Sequence, residues 1–243
     1  MTEPSSLLPP RTPPYMGLAL IVINLLLVNM GVMMAAPATL ARAEAPDTSE
    51  PVRIVALGDS LTAGYLLRPS DAFPAQLAVA LTKRGHSIEM INAGVSGDTT
   101  ANGLERFDWS VEDGTEAVIL ELGANDGLRG IDPAAARKNL DAILAKLKAR
   151  NIEVLIAGIT APQNWGQDYA DAFNVIFKDL SAQYGTLYYP FFLDGIALKP
   201  ELNLSDGLHP TGKGVAVIVE RILPSVEALL ERVKARRLAS ARN

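Results

Sequence analysis

The sequence predicts an α/β protein built on a parallel sheet, and three observations carry that reading. From residue 52 onward, short runs rich in Ile, Val and Leu alternate with stretches of helical periodicity. The runs are continuously apolar, as in strands buried on both faces of a sheet. Three of them end directly in Gly-, Asn- and Asp-bearing turns, as expected where the carboxyl ends of parallel strands share one edge. Alternation of this kind implies a parallel sheet with helices on both faces.

Five strands are expected, at Ile54–Leu57, Ile88–Ile91, Ala117–Leu122, Val154–Ala157 and Leu187–Tyr189. The first runs into Gly58-Asp59-Ser60, which puts a serine where the strand ends. Residues 74–84, read as a helix, carry Leu77, Val79 and Leu81 and stop at Gly85, a common residue just past a helix end. The second strand leads into Asn92-Ala93-Gly94-Val95-Ser96-Gly97-Asp98-Thr99-Thr100, and the third into Gly123-Ala124-Asn125-Asp126-Gly127. Asp132-Pro133 opens the clearest helix, with Asp as N-cap and Pro at the first helical position. Within it Leu140, Ile143, Leu144 and Leu147 form one apolar face. Residues 168–184 form another helix, with Tyr169, Phe173, Ile176, Phe177 and Leu180 on one side. The last helix begins near Gly214, and Pro224 is expected to kink it or to start a second one. No internal repeat is visible, and no linker interrupts residues 52–211, so one domain is expected.

An N-terminal segment stands apart from that domain. Thr12 to Ala41 carry no charge, and Tyr15 to Ala36 are almost wholly apolar, long enough to cross a bilayer. Ala41-Arg42-Ala43 then matches the small-x-small cleavage pattern of a secretory signal peptide. Residues 1–43 are therefore expected to be a signal peptide, the alternative being an uncleaved anchor, which would be the domain's only membrane contact. Either way residues 44–243 are expected outside the cytoplasm. Without residues 1–43 the chain has 20 basic and 26 acidic residues, a net charge of −6. A net-acidic domain without a basic stripe argues against nucleic acid as a partner. The basic tail, Arg232 to Arg242, reads as a solvated helix end that complements the helix dipole. Nothing in the sequence demands a partner subunit, so a monomer is expected.

The chain has no cysteine, which excludes disulfides, thiol nucleophiles and iron–sulfur clusters. Its two histidines, His86 and His209, argue against a histidine-rich zinc site. No metal or cofactor is expected, and the chemistry must run on oxygen nucleophiles and carboxylates. Nucleotide signatures are missing as well. The 92–100 loop is not Gly-x-Gly-x-x-Gly, and no Gly-Lys-[Ser/Thr] occurs. Ser60 is not in a Gly-x-Ser-x-Gly elbow, because Thr occupies position 62. Far along the chain, Asp206-Gly207-Leu208-His209-Pro210 supplies an acid and a base three residues apart. A hydroxyl nucleophile needs a base, and the base needs an orienting acid. The order Ser, Asp, His is one in which that set occurs.

Taken together these blocks resemble the GDSL-type esterases and lipases, or SGNH hydrolases. Gly58-Asp59-Ser60-Leu61, Ser96-Gly97-Asp98-Thr99, Gly123-Ala124-Asn125-Asp126 and Asp206-Gly207-Leu208-His209-Pro210 are similar to the family's four blocks, in order. The runs Leu120–Gly130 and Pro190–Leu193 resemble its bacterial periplasmic branch of thioesterase, lysophospholipase and arylesterase enzymes. The resemblance spans about residues 52–230. It implies a three-layer α/β/α, flavodoxin-like SGNH-hydrolase fold with a five-stranded parallel sheet. It further implies Ser60 as nucleophile, His209 as general base and Asp206 as its orienting acid. The N–H groups of Ser60 and Gly97 and the side-chain amide of Asn125 would form the oxyanion hole. A glycine at 97 would let a backbone N–H approach the oxyanion without a Cβ in the way, and an amide is a neutral donor suited to it.

Thr160-Ala161-Pro162-Gln163-Asn164-Trp165-Gly166 departs from the branch, whose members carry Arg-Leu-Pro-Ala-Asn-Tyr-Gly. The departure alters one wall of the acyl pocket and leaves simple ester hydrolysis as the expected activity. Leu128, Ile159 and Trp165 are candidate pocket-lining residues, with ordinary packing as the other reading. Asp59 is expected to hold its turn, and His86 to lie at the surface. Glu121, in an apolar strand, could support the loop near Asn125 or reach solvent. The expected function is an exported serine esterase acting on small-molecule or lipid esters through an acyl-enzyme. Activity should fall at acid pH, where a histidine base takes a proton. A deacetylase of cell-envelope polysaccharide is the alternative within enzymes, and a non-catalytic lipid- or glycan-binding protein the alternative outside them.

Overall fold

A computed structural model describes residues 50–242; the expected signal segment, residues 1–43, lies outside the described residues. Strands β1 (Val52–Gly58), β2 (Ile88–Gly94), β3 (Ala117–Glu121), β4 (Glu153–Ala157) and β5 (Leu187–Tyr189) form one sheet in the order β2-β1-β3-β4-β5. Every pairing is parallel. The order reverses at β1 and β3, and the crevice at that switch point is where open sheets of this type bind ligands. β3 is buried throughout and β1 nearly so, which accounts for their unbroken apolar sequence.

The helices are α1 (Ser60–Ala63), α2 (Phe73–Lys83), α3 (Thr100–Glu105), α4 (Phe107–Ser110), α5 (Ala124–Leu128), α6 (Pro133–Ala149), α7 (Gln167–Tyr184) and α8 (Gly212–Ser240). The crossovers leave the switch point in opposite directions, so right-handed connections place α2 on one face and α6 and α7 on the other. α8 packs along α2 and completes the first layer. α6 forms as its sequence requires: the Asp132 carboxylate caps the Ala134 N–H at 2.9 Å, and Leu140, Ile143, Leu144 and Leu147 are buried.

Three expectations are corrected. No second helix starts at Pro224, since α8 runs unbroken through it. Both Pro224 and Glu220, whose carbonyl the proline frees, are exposed, so water can take the lost hydrogen bond. The basic tail is not a free helix end: Arg236 and Arg237 fold onto Glu116, just before β3, and Arg232 donates to the Gly185 carbonyl at 2.7 Å. His86 is largely covered, with Nε2 3.4 Å from the Glu227 carboxylate. Among the described residues no helix is long and apolar enough to cross a membrane.

Candidate active site

β1 ends at Gly58, and the chain turns at once into α1. The Asp59 side chain caps this short helix, accepting the Leu61 N–H at 3.0 Å. Ser60, its first residue, is 9% exposed. Glycine is required at 58 by space: a Cβ there would lie 2.1 Å from Thr62 Oγ1.

The loop before α8 brings His209 to this serine. His209 Nε2 is 2.8 Å from Ser60 Oγ, and His209 Nδ1 is 2.7 Å from Asp206 Oδ2. The second oxygen of Asp206 accepts the Leu208 and His209 N–H groups at 2.9 and 3.0 Å. These backbone donors, followed by the imidazole, pull Asp206 down to about 2. It is therefore ionised across the working range and fixes the ring through Nδ1. The Tyr65 ring lies over the imidazole with centroids 4.5 Å apart, restricting its other side.

The β2 and β3 loops close the opposite side. Asn125, in the first turn of α5, donates Nδ2 to the Asp98 carbonyl at 2.9 Å and to Asp59 Oδ2 at 3.2 Å. Gly97 adopts φ +88°, which favours glycine. Its requirement is conformational and not one of space, since a Cβ would meet only the Arg129 side chain, at 3.8 Å. Among the described residues the N–H groups of Ser60 and Gly97 have no hydrogen-bond partner. Buried Arg106 braces this half by donating to Asp98 Oδ2 at 2.6 Å and to the Gly58 carbonyl at 2.9 Å. Asp126, next to Asn125, accepts from the Thr100 N–H and hydroxyl at 2.8 and 2.6 Å; burial still pushes its carboxyl above the ordinary range.

A cavity of about 270 Å³ opens beside Ser60, Asn125 and His209. Leu128 and Ile159 lie on its wall, with Phe191, Leu193, Leu198 and Leu208. Trp165 does not line it. Its indole N–H is spent on the Gly127 carbonyl at 3.0 Å, and its ring covers Gly130, so it braces the chain after α5. The sequence reading missed Tyr65, Arg106 and the Thr62–Glu121 contact, in which Thr62 Oγ1 donates to Glu121 Oε2 at 2.7 Å. All three act between segments distant in sequence; the one visible hint was a charged residue closing an apolar strand.

Several known proteins resemble this chain. Residues 56–217 match the model of the GDSL-like lipase/acylhydrolase family. An arylesterase of Vibrio mimicus is 38% identical, over 69% of this chain and 84% of that protein. A thioesterase 1/protease 1/lysophospholipase L1 of Escherichia coli K12 is 36% identical, over 78% of this chain and 88% of that protein. The crystal structure of AlinE4, an SGNH-hydrolase family esterase, superposes with a TM-score of 0.63 at 43% identity, covering 74% of this chain and 97% of that one.

Proposed function

The chain belongs to the GDSL-like lipase/acylhydrolase family and is a carboxylic ester hydrolase, and we propose that it is an exported serine esterase working through an acyl-enzyme on Ser60. The observation that carries this reading is the relay from Asp206 through His209 to Ser60, with contacts of 2.7 and 2.8 Å, beside an apolar cavity.

Ser60 Oγ attacks the ester carbonyl while His209 Nε2 takes its proton. The carbonyl electron pair moves onto oxygen, where the Ser60 and Gly97 N–H groups and Asn125 Nδ2 receive it. Both Asn125 hydrogens are already engaged, so the oxyanion competes with its longer partner, Asp59 Oδ2 at 3.2 Å. Collapse breaks the bond to the alcohol, which leaves with the proton from His209. Water then repeats the sequence on the acyl-serine and frees the carboxylic acid.

The Leu, Ile and Phe lining suits an acyl chain, so aryl and acyl esters are the proposed substrates, with lysophospholipids and acyl thioesters as further members of the class. Residues 1–43 are proposed as a signal peptide cleaved after Ala43, which the N-terminal sequence of the exported protein would test. Hydrolysis by residues 44–243 of p-nitrophenyl esters from acetate to palmitate, beside an acyl-CoA and a lysophospholipid, tests the substrate class. Rates rising from acetate toward longer chains are expected. Activity confined to acetate would favour a deacetylase, and none in folded protein would favour a binding role.

A further inference from the structure

Glu121 ends an otherwise apolar strand, is 0% exposed, and faces Gly58 in the β1–β3 register. A parallel pair ending in step brings its carboxyl beneath the turn that carries Ser60. Oε2 accepts the Thr62 hydroxyl at 2.7 Å and the Asp59 N–H at 3.4 Å. Asp59 in turn accepts from the Leu61 N–H and from Asn125 Nδ2. Ser60 is thus held between two residues that both rest on Glu121, and one of these also aims Asn125.

Among the described residues the other oxygen, Oε1, is buried with no partner. The charged group next to Glu121 is another acid, Asp59, which itself faces Asp98 and His209. The guanidinium across Gly58, Arg106, is spent on Asp98, the Gly58 carbonyl and Ser110. An ionised carboxylate in this setting leaves a buried anionic oxygen unpaired, which costs far more than a neutral acid does. Burial and the Asp59 charge both push Glu121 well above the ordinary carboxyl range.

We propose that Glu121 is a positioning residue of the esterase reaction, held as the neutral acid, with its proton on Oε1 and with Oε2 locking the Ser60 turn through Thr62 and the aim of Asn125 through Asp59. The inference rests on Ser60 as nucleophile and Asn125 as oxyanion donor. It goes beyond that assignment because Glu121 touches no reacting atom.

A neutral acid and an amide offer the same acceptor, so the test pairs Glu121→Gln with Glu121→Leu and Thr62→Val. Glu121→Gln should keep kcat within about threefold of wild type. Glu121→Leu should lower kcat by roughly 10- to 100-fold, as a slightly misplaced site does, with KM unchanged. Thr62→Val removes only the hydroxyl donor and should lower kcat about fivefold; it decides the matter if Glu121→Leu does not fold. A second readout is thermal. Folded Glu121 keeps its proton while the unfolded side chain ionises near about pH 4.3, so wild type loses ground as pH rises. The Tm advantage of Glu121→Gln should therefore widen from pH 5 to 8. Glutamine as damaging as leucine, unchanged kcat in both Glu121→Leu and Thr62→Val, or a pH-independent Tm difference would overturn the inference. Ser60→Ala separates the two claims: an active Ser60→Ala would remove the nucleophile reading itself. An inactive Ser60→Ala beside fully active Glu121→Leu and Thr62→Val would remove only the role of Glu121.

Discussion

A glutamate stands at each end of β3, and the two sit in opposite settings. Glu116, just ahead of the strand, is pushed up by partial burial, but Arg237 and Arg236 outweigh this and hold it below the ordinary carboxyl range. Glu121, which closes the strand, has no cation beside it among the described residues and is raised by burial and by Asp59. The amino edge also carries the larger depression, about 930 Å³ lined by Arg53, Glu89, Glu116, Arg236 and Arg237. The cavity at the carboxyl edge is smaller and its wall largely apolar. Charges at the amino edge find opposite charges and tie the terminal helix to the sheet. At the carboxyl edge, acids are buried around a hydroxyl and an amide, so the fold tolerates an unfavourable arrangement there. Perturbed groups of this kind, buried beneath the residues that line a cavity, often accompany reaction sites.

That contrast predicts two different responses to substitution. Ser60→Ala should remove ester turnover by on the order of 10⁴- to 10⁶-fold without shifting Tm; steady-state kinetics and a melting curve would show both. Asn125→Ala should cost about 10²- to 10³-fold in kcat, chiefly in kcat and not KM. Asp59→Asn should cost about tenfold and make the acid limb of the pH profile shallower. Burial raises Asp59 to about 6 against the hydrogen bonds from Leu61 and Asn125, so it takes a proton as pH falls through that value and the hydrogen bond from Asn125 loses its charge assistance. The same raised value means that Asp59 favours folding most at low pH, and that this advantage is lost as pH rises through about 6. Glu116→Gln should leave kcat untouched and lower Tm by about 2–4 °C at most, since a partly exposed ion pair is worth up to about 1 kcal/mol. If Glu116→Gln cut turnover, or Ser60→Ala unfolded the protein, the division between the edges would fail.

The sequence reading and the structure part company where side chains meet across distant segments. All five strands lie within three residues of their expected ends; the expectation of burial on both faces holds for β1, β3 and most of β4, whereas the edge strands β2 and β5 are only partly covered. α6 was legible from Asp132-Pro133 and its leucine spacing. The four- and five-residue helices α1 and α5 were read as turns, since a single turn shows no periodicity. Ser60, Asp206 and His209 were found by type and block, and the structure brings them together. Trp165 was assigned to the cavity because a changed residue near the fourth strand suggested a changed wall. The direction of its ring is set by Gly127 and Gly130, which no spacing displays. Glu121 stayed without an account because its partner, Thr62, is reached only through the register that sets Gly58 beside it.

The central claim is that the carboxyl edge of the sheet carries a serine nucleophile at position 60. Exposure of folded residues 44–243 to an organophosphonate ester, followed by intact-mass and peptide measurement, tests it directly. The account predicts one covalent adduct per chain, on the Ser60 peptide, in step with lost esterase activity and absent from Ser60→Ala. An adduct on another residue, or full inhibition and labelling of Ser60→Ala, would contradict it.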